Sequence, residues 1–240
     1  MGIKLRRQLT KIGLAHHYDL LWKESLQTIA REGFDYDPLL GSSLDNRFGI
    51  TLLIRPSLRL MDAIQPFMEE IREIEPDHHF YPYSDIHVTV MPIISCYDGF
   101  RLERISPPDY IHLLEECLTG LPSFDIQYKG VTASPSCLMI KGFPLDGTLE
   151  EIRSRLRKAF KNSSLEQSLD KRYPLQTAHS TVIRFKHPVK RQRDILQRLD
   201  RFKDFDFGKS EVGELELVFN DWYQRKEWVQ KLYGFRLGKG

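Results

Sequence analysis

The string Tyr81-Pro82-Tyr83-Ser84-Asp85-Ile86-His87-Val88-Thr89-Val90 returns as Tyr173-Pro174-Leu175-Gln176-Thr177-Ala178-His179-Ser180-Thr181-Val182, so the pattern Y-P-x-x-x-x-H-x-T-V occurs twice. Two matched histidines point to one site built from two halves. Along a strand, side chains alternate between faces. His87 and Thr89, and likewise His179 and Thr181, are therefore expected to put an imidazole and a hydroxyl on one side. Such a pair can move a proton and hold an oxyanion. With eight His and nine Thr in 240 residues, roughly 0.3 H-x-T triplets are expected from composition alone. Both triplets present are followed by Val.

The order of elements repeats with the motif. Residues 48–55 read as a strand, 57–75 as a helix capped by Ser57 and kinked or broken at Pro66, and 86–93 as the first histidine strand. Residues 137–143, 146–162 and 178–185 repeat strand, helix and histidine strand. Between the halves, 107–120 reads as a helix ending near Gly120 and 123–133 as a strand. Residues 188–202 read as a further helix, followed by strands near 211–219 and 226–237. Ahead of the first strand, 16–32 has helical periodicity, and 33–46 is a Gly/Pro/Asp/Ser-rich loop.

This pattern predicts an α+β fold of two pseudo-symmetric lobes, each a small antiparallel sheet with helices on its outer face, around a central groove. Residues 1–46 are expected to form an N-terminal helix and loop packed on a bilobal domain of residues 47–240. The histidine strands are expected side by side at the centre.

Composition narrows the partners. The chain is 41% hydrophobic and 28% charged, ordinary for a folded protein with a sizeable core. A net charge of +2 permits a phosphate-bearing ligand but falls short of the footprint of a duplex-DNA binder. Cys96, Cys117 and Cys137 form no C-x-x-C pair or disulfide framework, which suits a reducing compartment. Charges interrupt the N-terminal residues, no myristoylation pattern is present, and no run is long enough to span a bilayer. A cytoplasmic, monomeric protein without a membrane partner is expected. The pairs His16-His17 and His78-His79 have no carboxylate at metal-motif spacing, so neither a metal nor another cofactor is expected. No Walker A, G-x-G-x-x-G or G-x-S-x-G motif occurs.

The strings HVTV at 87–90 and HSTV at 179–182 resemble the tandem motifs of the two-histidine (2H) phosphoesterase superfamily. The resemblance implies a bilobal fold and metal-independent hydrolysis of 2',3'-cyclic or related nucleotide or RNA-end phosphodiesters, with His87 and His179 as general acid and base. Thr89 and Thr181 would donate hydrogen bonds to the non-bridging oxygens. Members resembling bacterial RNA 2',3'-cyclic phosphodiesterases carry an arginine five residues after the second histidine, which here is Arg184. Strict alternation puts Arg184 on the wrong face, so it reaches substrate only if the strand twists or bulges beyond Val182. Tyr81 and Tyr173 stand where a ring stacks on a base or a phenol meets phosphate, although each Tyr-Pro also serves simply to shape the entering loop.

Which histidine is the base is left open by the near-equivalence of the halves. A non-catalytic RNA or nucleotide binder using the same groove, and a phosphoesterase acting on a non-RNA metabolite, remain alternatives. The arginines at 153, 155 and 157, with Lys158, read as a solvated helix face, and residues 222–228 as a hairpin turn used in packing.

Overall fold

The computed structural model describes residues 2–171 and 174–238, the first eleven of these as backbone only. Two antiparallel sheets share the molecule. The first has the order β3-β1-β8-β9, from strands Arg47–Ile54 (β1), Val88–Asp98 (β3), Glu214–Asp221 (β8) and Gln230–Arg236 (β9). The second has the order β2-β6-β5-β4-β7. Its strands are His79–Phe80 (β2), Phe124–Ser134 (β4), Cys137–Pro144 (β5), Ser180–Arg184 (β6) and Asp206–Val212 (β7). The expected α+β architecture of two lobes is what the chain adopts.

The halves interleave. Helix α2 (Leu58–Arg72) leaves β1 of the first sheet yet packs on β7 of the second, beside α5 (Gln192–Phe202). Helices α3 (Pro107–Leu118) and α4 (Thr148–Lys161) pack together on the first sheet, against β9 and β3. Helix α1 (Gly2–Glu32) lies on β4 and β5. The orders β1-α2-β3-α3 and β5-α4-β6-α5 thus correspond, and one continuous apolar core runs through both lobes. Burial of this core supplies the main favourable term in folding.

Most elements lie within a few residues of the sequence reading, and the departures have physical causes. Helix α1 begins at Gly2 rather than residue 16. The Ser57 hydroxyl caps α2 by accepting from Leu60 N at 3.4 Å. The helix runs unbroken through Pro66, and Pro66 and Asp62, whose carbonyl loses its helical partner to the proline, are both on the exposed side, where a missing bond costs least. The strand expected near 211–219 divides at Gly213 into β7 and β8, the polar β7 lying at the edge of its sheet. The histidine strands are not hydrogen-bonded neighbours: β3 edges the first sheet, and β6 lies in the second. Among the described residues, no helix is long and apolar enough to cross a membrane.

Candidate active site

His87 and His179 each stand one residue ahead of a strand, at the entrances to β3 and β6, rather than inside the strands as the sequence suggests. The alternation holds even so. His87, Thr89, His179 and Thr181 are half-buried, whereas Val88, Val90, Ser180 and Val182 between them are buried. The apolar side locks each motif to the core, and the polar side faces a common groove lined by all four.

Each imidazole is held at Nδ1 by the residue two positions earlier. His87 Nδ1 lies 2.7 Å from the Asp85 carbonyl, which only accepts, so that nitrogen carries the proton. His179 Nδ1 lies 2.8 Å from Thr177 Oγ1, a hydroxyl able to serve either ring state. Nε2 is therefore left as the nitrogen for proton traffic in both rings. Burial, with the Arg55, His179 and Arg184 charges, holds His87 down at about 3 against the Asp85 carbonyl, which favours the charged ring. Burial and the Arg153 and Arg184 charges hold His179 at about 4.

A bulge brings Arg184 to this face. Leu138 pairs with Ile183 and Met139 with Thr181, which leaves Val182 as an extra residue in β6. Val182 and Ile183 are consequently both buried, and Arg184 returns to the groove side with Thr181. The first motif has the same device. Leu52 pairs with Met91 and Leu53 with Thr89, leaving Val90 as the extra residue. The repeat therefore extends to the backbone, with bulges at matched positions. It breaks at side-chain level, since the first-half position matching Arg184 is Pro92, on an edge strand that tolerates proline.

Tyr81 is 2% exposed, and its hydroxyl accepts from Arg184 Nε at 3.1 Å. It lines the groove with its hydroxyl on the guanidinium. Tyr173 lies outside the described residues. Sequence reasoning missed Asn220, Trp222 and Gln224, which reach the groove from the end of β8 and the turn after it. The turn at 222–228 was legible, but its place beside residues more than a hundred positions earlier was not. Arg153 was misread as solvated: it is 1% exposed. Its signal was its place on the stripe Leu149, Ile152, Leu156 and Phe160, all buried in α4. Among the described residues, no three His, Cys, Asp or Glu side chains converge in a way that would hold a metal ion.

The comparisons with known proteins agree with this geometry. The family model of the 2'-5' RNA ligase superfamily matches residues 60–221. No curated protein matches the sequence. Among solved structures, TT0787 of Thermus thermophilus is 16% identical with a TM-score of 0.55, over 80% of this chain and 98% of that one. Escherichia coli LigT complexed with phosphate is 12% identical with a TM-score of 0.51, over 81% and 99%. LigT complexed with 3'-AMP is 11% identical with a TM-score of 0.50, over 80% and 99%. At these identities the structures speak for the fold. The family match spans well over half of the chain, which therefore belongs to the 2'-5' RNA ligase superfamily, the two-histidine phosphoesterases.

Proposed function

We propose that this protein hydrolyses 2',3'-cyclic or related nucleotide and RNA-end phosphodiesters, with His87 and His179 as general acid and base and without a metal or other cofactor. The observation that carries the reading is the pairing of two imidazoles, each held at Nδ1 and each beside its own threonine, in one groove with Arg184. Family membership supports phosphoesterase chemistry in general. The phosphate and 3'-AMP complexes of LigT support a nucleotide phosphate as the ligand class.

The step balances with groups of this chain. One Nε2 takes a proton from water as the water oxygen bonds to phosphorus. The ester bond on the far side breaks, and the other histidine's Nε2–H protonates the departing oxygen. General acid–base catalysis of this type contributes roughly 10²–10⁴-fold. Thr89 and Thr181 hydroxyls donate to the non-bridging oxygens where charge develops, and Arg184 offsets the phosphate charge. With His87 and His179 held at about 3 and about 4, both are neutral near pH 7 in the empty groove. An anionic diester placed between them favours the charged ring, so substrate itself prepares the acid. Which histidine becomes the acid follows from how the ester lies.

The test is phosphorus NMR of the protein with EDTA, incubated with 2',3'-cyclic mononucleotides and a 2',5'-linked dinucleotide. A new monoester resonance supports the proposal and shows which oxygen leaves. Unchanged spectra with every substrate count against it, in favour of a groove that only binds nucleotides or one that acts on a different metabolite.

A further inference from the structure

The two histidine segments belong to different sheets, and one buried side chain from a third element touches both. Arg153 of α4 donates from Nε to the Val90 carbonyl at 3.0 Å and from Nη2 to the Thr89 carbonyl at 3.1 Å. The same Nη2 donates to the Thr177 carbonyl at 2.7 Å. Thr89 and Val90 form the T-V of the first motif, and Thr177 is the residue whose hydroxyl holds His179. We propose that Arg153 is a positioning residue, a clamp that fixes the spacing and register of the two half-sites across the groove. This inference rests on the two-histidine reading of that groove.

Packing alone does not call for an arginine here. The neighbours of Arg153 on the buried stripe of α4 are Leu149, Ile152, Leu156 and Phe160, and a leucine or methionine would complete that surface. Burying a guanidinium costs free energy unless its donors are met. Its planar fork suits several carbonyls at fixed angles, which a lysine ammonium cannot match. Burial pulls this group down to about 10, against Glu150, which favours the charge, so it stays charged at neutral pH. The carbonyls it binds come from both motifs, and the Val90 carbonyl belongs to the bulged residue of β3. A bulge lacks part of its ladder pairing, and the guanidinium supplies a partner there.

Arg157, one turn further on, extends the same function to the approach of the second motif. Its Nε donates to Asp170 Oδ2 at 2.6 Å, and its Nη2 donates to the Leu175 carbonyl at 3.1 Å. Helix α4 thus carries both half-sites on one rigid element.

The experiment compares Arg153→Met and Arg153→Lys with wild type in three readouts: kcat and KM on a 2',3'-cyclic mononucleotide, NMR titration of His87 and His179, and thermal unfolding. In Arg153→Met, kcat is expected to fall roughly 10²-fold, the scale of an ångström of misplacement, with KM within about threefold. The His179 midpoint is expected to rise as the neighbouring charge is lost. Arg153→Lys is expected to restore that midpoint yet leave kcat roughly tenfold low, since a point charge cannot bridge the three carbonyls. A lowered melting temperature with wild-type kcat and wild-type titration in either folded variant overturns the proposal. If Arg153→Met fails to fold, Arg153→Lys decides alone. If wild type turns over no diester, the proposed function fails. The histidine titrations still report whether Arg153 sets the environment of the pair.

Discussion

Lowering the pH from about 7.5 to about 5 is expected to destabilise the protein through its groove histidines, by an amount that follows from their placement. An imidazole in the unfolded chain titrates near 6.5, whereas the folded groove, mainly through burial, holds His87 at about 3 and His179 at about 4. Below 6.5 the unfolded state binds protons that the folded state refuses, so stability is full above that value and falls as the pH drops toward the folded values. Over the roughly 1.5 units between 6.5 and about pH 5, at about 1.4 kcal/mol per unit, each histidine costs about 2 kcal/mol and the pair about 4. The figure depends little on how deep the shifts are, because any folded value well under pH 5 gives the same loss. His78, which burial and His187 hold at about 4 against the pull of Glu75 and Asp77, adds a loss of its own away from the groove. Urea denaturation at both pH values, on wild type and on His87→Gln/His179→Gln, isolates the pair. Wild type should lose about 4 kcal/mol more than the double variant, with unchanged m-values. Equal losses in the two proteins would refute the reasoning that the folded groove excludes the imidazolium.

Further outcomes follow from single contacts. Tyr81→Phe removes the acceptor of Arg184 Nε, and with hydrogen bonds to charged groups worth about 1.5–3 kcal/mol, KM for a phosphodiester should rise at least tenfold. An unchanged KM would remove Tyr81 from the site. Gly142→Ala drives a Cβ into the Ala178 carbonyl oxygen, immediately before His179. A melting temperature several degrees lower is expected, and a wild-type melting curve would contradict the packing. The Tyr18 hydroxyl of α1 accepts from Ala178 N at 3.2 Å and donates to the Gly142 carbonyl at 3.3 Å. Tyr18→Phe should therefore cost about 1–3 kcal/mol in urea denaturation, and no loss would show that α1 does not brace this strand entrance.

What the sequence made legible was local and repeated. Alternation about His87 and His179 put each imidazole on one side with its threonine, and the structure turns that side to one groove while Val88, Val90 and Val182 enter the core. The same alternation put Arg184 on the wrong face and named a twist or bulge beyond Val182 as the remedy; the register of β5 and β6 places the bulge at Val182 itself. Arg153 was hidden by its neighbours. Arg155 and Arg157 are partly exposed, and a run of charges on a helix reads as solvated unless each is checked against the apolar stripe it interrupts. Asn220, Trp222 and Gln224 were hidden by distance, since β8 follows every strand of the second sheet in the chain yet lies in the first. The exchange of helices between the sheets was likewise invisible, because periodicity says which face of a helix is buried but not what covers it.

The most direct test is turnover of a 2',3'-cyclic mononucleotide by wild type, His87→Ala and His179→Ala, all in EDTA and all shown by circular dichroism to be folded. Wild-type product with at least a 10²-fold loss in each variant is the result predicted by two-histidine catalysis. Turnover that survives in either folded variant would contradict it.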